Sequence, residues 1–143
     1  MAELPPLTRD QRKVDADHLK LLAIFHFVGA GLALLGILFL FGHYMILHTV
    51  FDNPAMWKNS QQGPPPMEFF SMFKWFYLAF GIWFLIFGIL NVLSGLFLLG
   101  RKHRMFSLVV GGINCVHIPF GMALGIFTII VLLRDSVKEI YES

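Results

Sequence analysis

Three long uncharged apolar stretches, Leu21 to Phe51, Trp75 to Gly100 and Met105 to Leu133, alternate with short polar or basic segments. Each exceeds the roughly 20 residues that a helix needs to cross a hydrocarbon core of about 30 Å. The pattern predicts an all-α integral membrane protein, a bundle of three long transmembrane helices with an outer Pro-rich loop. The expected boundaries are an N-terminal segment over 1–18, transmembrane helix 1 over 19–50 and an external loop over 51–67. Transmembrane helix 2 follows over 68–100, a basic turn over 101–104, transmembrane helix 3 over 105–133 and a tail over 134–143. Pro119-Phe120-Gly121 interrupts the third stretch. Its halves, at about 14 residues each, are too short to span, so the sequence reads as one helix kinked at Pro119 in preference to a re-entrant hairpin.

Composition agrees with that pattern and narrows the function classes. Hydrophobic residues make up 57% of the chain and charged ones 14%, where a soluble domain carries about 25% charged residues. A soluble enzyme, a nucleic-acid binder and a disordered tail are excluded. The net charge of +2 is too small to suggest a polyanion partner. The single cysteine, Cys115, excludes an internal disulfide and a multi-Cys metal site. The first apolar run is longer than a signal-peptide core and lacks a small-x-small cleavage site, so helix 1 is expected in the mature protein.

Basic residues set the expected orientation. With the N-terminus and the Arg101-Lys102-His103-Arg104 turn in the cytoplasm, seven of eleven Lys and Arg lie inside. The tail from Arg134 then falls outside. In the outer loop, Asn53-Pro54 fits an N-cap followed by proline at the first helical position, which predicts a short helix from Ala55 to Trp57. Gly63-Pro64-Pro65-Pro66 predicts a stiff, extended approach to helix 2.

Small residues mark one face of each span. Gly29 and Gly36 in helix 1, and Gly81, Gly88 and Gly95 in helix 2, recur every seven residues. Gly121-x-x-x-Gly125 in helix 3 is a small-xxx-small motif. In lipid such residues let helix backbones approach closely, either within the chain or between subunits.

No Asp, Glu, Lys or Arg lies inside the three cores, which argues against a proton-coupled or ion-coupled carrier. His26, Asn91, Asn114, His117 and Thr128 are the polar residues that remain. At 100° per residue, His26 falls within about 60° of the Gly29/Gly36 stripe, and Asn114, His117, Gly121, Gly125 and Thr128 share an arc of about 80°. Counted at 1.5 Å per residue, His26, Asn91 and Asn114 lie about 12–14 Å deep and His117 about 18 Å. A buried polar cluster is expected.

The cluster admits two readings. It is interhelical glue, at about 0.6 and at most about 2 kcal/mol per hydrogen bond, or His26 and His117 ligate a b-type haem axially. No cofactor follows from the first reading; haem b is the alternative. No metal site is expected, because Cys115 points about 160° away from His117. No catalytic constellation is present, so no enzyme is expected. The residues favour an accessory or scaffold subunit of a membrane complex, or a homo-oligomer, whose partners are lipid and other membrane subunits or copies of itself. A passive oligomeric channel lined by Asn91, Asn114 and Thr128 is a further alternative.

Two segments carry a resemblance. One is His18-Leu19-Lys20-Leu21-Leu22-Ala23-Ile24-Phe25-His26-Phe27-Val28. The other is Asn114-Cys115, Pro119-Phe120-Gly121, Leu124-Gly125, Phe127-Thr128 and Val131-Leu132-Leu133-Arg134, with Val137-Lys138 just after it. Together they resemble a widespread group of small, uncharacterised bacterial inner-membrane proteins. The resemblance covers about half the chain; it implies a bacterial plasma-membrane location and no mechanism.

Overall fold

A computed structural model describes residues 9–58, 67–117 and 119–142, and the described residues form helices and no strand. The helices are α1 (Arg9–Phe51), α2 (Pro54–Trp57), α3 (Met67–Gly100), α4 (Arg104–Asn114), α5 (Phe120–Leu133) and α6 (Asp135–Glu142). Two of them, α1 and α3, are long and apolar enough to cross a membrane. A third element qualifies only if α5 and α6 are counted together, and these are bent by 71° at Arg134. The chain divides into two compact units, one of Met1–Ala30 with Ile89–Ser143 and one of Gly31–Gly88.

The first unit carries the greater part of the buried core. Leu19, Leu22 and Ala23 of α1 pack with Leu98 of α3, Val131 and Leu132 of α5 and Val137 of α6. Where α3 meets α1 there is little space: a Cβ on Gly95 would stand 2.9 Å from the Phe27 ring. α3 ends in a Schellman motif. The Lys102 N–H donates to Phe97 O (2.9 Å), and the Arg101 N–H donates to Leu98 O (3.4 Å). Arg101 takes the left-handed position usually given to glycine, at φ 51°, and His103 takes another at φ 49°. The His103 ring lies 4.7 Å from the Phe97 ring, which meets Phe106 edge-on at 5.2 Å.

The third stretch is not one kinked helix. α4 and α5 lie antiparallel, with turn or bend backbone at 115–117 and 119 between them. A Cβ on Gly125 would fall 2.3 Å from Gly111 O and 2.5 Å from Cys115 Sγ. One on Gly121 would fall 2.6 Å from Asn114 O. At the open end, Arg104 Nη1 donates to Leu132 O over 3.3 Å. In a continuous helix those two residues would stand about 42 Å apart at 1.5 Å per residue. Pro119 supplies the break, because it has no N–H to continue the ladder. Gly111, Gly121 and Gly125 let the two backbones close. At about 16 Å and 21 Å, neither arm alone is long enough for a core of about 30 Å, so a helical hairpin stands where the sequence predicts one continuous transmembrane helix 3.

The tail is corrected with it. α6 turns across the open end of the hairpin, where Val137 is fully buried. Arg134 Nη1 stands 3.7 Å from Asp15 Oδ1 and 3.4 Å from His18 Nδ1. The C-terminal segment therefore lies beside the start of α1, not across the membrane from it.

The second unit holds the remainder of α1 and α3, with α2. Gly36 meets the Phe84 ring, at 3.1 Å from a built Cβ, whereas Gly81 faces open space and Gly88 is half-buried. His43 Nδ1 hydrogen-bonds Tyr77 Oη, and Tyr44 packs edge-on against Tyr77 at 5.5 Å. Asn53 caps α2 by accepting from the Ala55 N–H (3.0 Å), as the Asn-Pro pair predicts. Trp57 stacks on Phe51 at 5.6 Å and donates to its carbonyl. The Gly63-to-Pro66 approach lies outside the described residues.

Two measurements check this architecture. Gly125→Ala should destabilise the protein by about 1–3 kcal/mol, because the new methyl group meets backbone. Gly112→Ala, at a position open to space, should be neutral or stabilising by up to about 1 kcal/mol. Equal effects in detergent unfolding would count against the hairpin. Second, epitope tags at the two termini should be accessible from the same side of sealed vesicles; tags on opposite sides would restore a third span.

Candidate functional site

Within the first unit, His26, Asn91, Asn114 and Thr128 come from four different helices and are fully buried. Their placement follows from local constraints. The Gly29 position, one turn beyond His26, leaves room for the Asn91 carboxamide, which would lie 3.5 Å from a Cβ there. Asn114 closes α4 just before the turn, and Thr128 lies along α5 opposite Gly111.

The bonds form a closed set. Asn91 and Asn114 make a reciprocal amide pair, in which Asn91 Nδ2 donates to Asn114 Oδ1 (3.1 Å) and Asn114 Nδ2 donates to Asn91 Oδ1 (3.0 Å). His26 Nδ1 meets Asn91 Oδ1 at 2.8 Å, and His26 Nε2 meets Thr128 Oγ1 at 3.3 Å. Thr128 Oγ1 donates to Leu124 O over 2.7 Å. The threonine proton is thereby committed, so Thr128 can only accept from His26 Nε2. A neutral imidazole meets that demand with its proton on Nε2 if both amides turn over together. The reciprocal pair survives that rotation, and Asn91 Nδ2 then donates to His26 Nδ1.

This arrangement bears on each chemistry expected from the sequence. Depth and azimuth predict His26, Asn91, Asn114 and His117 at one level; the structure joins the first three to Thr128 instead, which the fold-back of α5 returns to their level. His117 sits in the hairpin turn, with its Cβ against Gly121 and its side chain half-buried. Both His26 ring nitrogens are engaged by Asn91 and Thr128, while His117 lies apart from this set in the hairpin turn. Among the described residues no group of three or more His, Cys, Asp and Glu could hold a metal ion. Asn91, Asn114 and Thr128 turn towards one another at zero exposure within the chain. What the set does chemically is bind four helices at one point.

Sequence reasoning missed other buried polar groups. Asp15 is 3% exposed and faces Arg134; its place in a charged N-terminal stretch marks it as solvated. Ser94 and Ser107 bury hydroxyls with no hydrogen-bond partner, which no spacing rule signals. Tyr141 buries its hydroxyl without a partner too. Burial pushes that phenol up to about 12, against the opposing pull of Arg104 and Arg101.

The network should carry a measurable share of stability. Asn114→Ala removes both hydrogen bonds of the Asn91–Asn114 amide pair, and should cost about 1–3 kcal/mol in detergent unfolding. Ser94→Ala removes a hydroxyl that bonds nothing and should cost clearly less. Equal costs would mean that the amide pair contributes no more than packing. No protein family, curated protein or solved structure matches the chain, so the reading of function rests on these residues.

Proposed function

We infer that the protein is a non-catalytic membrane subunit that works by assembling with other membrane chains or with further copies of itself. The observation that carries this reading is the tip of the α4–α5 hairpin. Arms of about 16 Å and 21 Å bring the turn near the middle of a core of about 30 Å. There the backbone at 115–117 and 119 leaves the helical path, and the side chains beside it are open, Val116 at 72% and Phe120 at 80% exposure. Non-helical backbone at that depth persists where protein or a water-filled cavity covers it, not against lipid. A partner seated over the tip meets that requirement.

The hairpin also sharpens the orientation. With the N-terminus, the basic turn and the tail on one side, nine of the eleven Lys and Arg gather there, leaving Lys58 and Lys74 for the other. That asymmetry favours a cytoplasmic location for all three. The bacterial plasma membrane as the host bilayer rests on the resemblance of the two signature segments.

Extraction in lipid nanodiscs followed by native mass spectrometry tests the assembly. The expected result is a species heavier than one chain. In a Cys115→Ala background, a cysteine introduced by Phe120→Cys should cross-link to a neighbouring chain and resist a membrane-soluble maleimide. A single-chain species with a freely labelled tip would overturn the reading.

A further inference from the structure

The basic turn and α6 together enclose an open pocket of about 470 Å³, whose walls include Arg101, Lys102, Arg104, Lys138, Tyr141 and Glu142. Only Glu142 among these is acidic. Two of the cations are partly committed: Arg104 Nη1 to Leu132 O, and Lys138 Nζ to Asp135 Oδ1 at 2.6 Å. No such bond ties the Arg101 or Lys102 side chains, and both are exposed. Arg101 and His103 both sit at positive φ, which non-glycine residues disfavour. The Tyr141 side chain lines the pocket as well.

The chemistry of the pocket is that of a phosphate site: guanidinium groups for bidentate contact and ammonium groups for charge. Its position selects the source of the phosphate. The apolar spans end at this turn, and Leu99, Met105 and Leu133 beside it are 51%, 66% and 52% exposed. A soluble phosphate makes no use of those side chains, whereas acyl chains would lie along them.

We propose that this pocket binds the phosphate of an anionic phospholipid headgroup, with Arg101 and Lys102 as its principal cations and the acyl chains along Leu99 and Met105. The site lies on the first unit alone and does not depend on what covers the hairpin tip. It makes the turn a specific lipid contact rather than a diffuse topology signal.

Nanodiscs of phosphatidylcholine containing a minority of phosphatidylglycerol provide the test, with native mass spectrometry counting the lipid that stays on the released protein. The expected result is preferential retention of phosphatidylglycerol. Arg101→Gly, which keeps the left-handed turn, and Lys102→Gln should each weaken retention roughly fivefold, with the unfolding midpoint in pure phosphatidylcholine unchanged. Inorganic phosphate at millimolar concentration should not displace the lipid. Equal retention of both lipids, retention unaffected by both substitutions, or displacement by inorganic phosphate would each overturn the assignment. Should Arg101→Gly fail to fold, Lys102→Gln alone, on an exposed side chain, decides the matter.

Discussion

A helical arm of eleven residues cannot cross a bilayer, and a chain that enters lipid only to turn back brings peptide groups to a depth where water cannot satisfy them. On the membrane placement proposed above, the α4–α5 hairpin lives under that constraint, and the contacts of the first unit meet it. Gly111 and Gly125 let the arms touch backbone to backbone. The Asn91–Asn114 amide pair fixes the end of α4 to α3, beside the turn. His26 joins α1 to that pair on one ring nitrogen and to Thr128 of α5 on the other. Loss of any member leaves the others buried with unmet hydrogen bonds, which is why a small polar set can specify the packing of an otherwise featureless apolar surface.

The open end of the hairpin is held by different physics. There Leu19, Leu22, Leu98 and Val137 form a compact apolar core, and Arg134 reaches across to Asp15 and His18. Ion pairs and apolar burial act together at this end because water is near. Deeper in, uncharged amide, imidazole and hydroxyl groups do the equivalent work, consistent with the absence of Asp, Glu, Lys and Arg from the apolar stretches. The two ends explain how the first unit holds its third apolar segment against α1 and α3.

Much of the polar set was legible in the sequence because depth and azimuth are additive along a helix. A count of residues from the basic turn aligns Asn91 with Asn114, and the same arithmetic from the start of helix 1 brings in His26. The hairpin was not legible, since hydropathy and the 3.6-residue period are identical for one long helix and for two short antiparallel ones. The Gly121-x-x-x-Gly125 motif announced a close backbone approach without naming the partner, which is α4 of the same chain. The continuous-helix reading also set Arg134 apart from the start of helix 1, whereas the structure brings it to Asp15 and His18. Asp15 and Tyr141 stayed hidden for a related reason, as both are buried by a tail that the continuous-helix reading sends elsewhere.

The central claim is that residues 104–133 fold back on themselves. Spin labels at Met105→Cys and Leu133→Cys, two exposed positions, introduced in a Cys115→Ala background and measured by pulsed dipolar spectroscopy in nanodiscs, test it directly. The fold-back predicts a single distance distribution centred below about 20 Å, allowing for helix packing at 8–10 Å and label length. A distribution centred near 42 Å, the reach of about 28 residues of continuous helix, would contradict it.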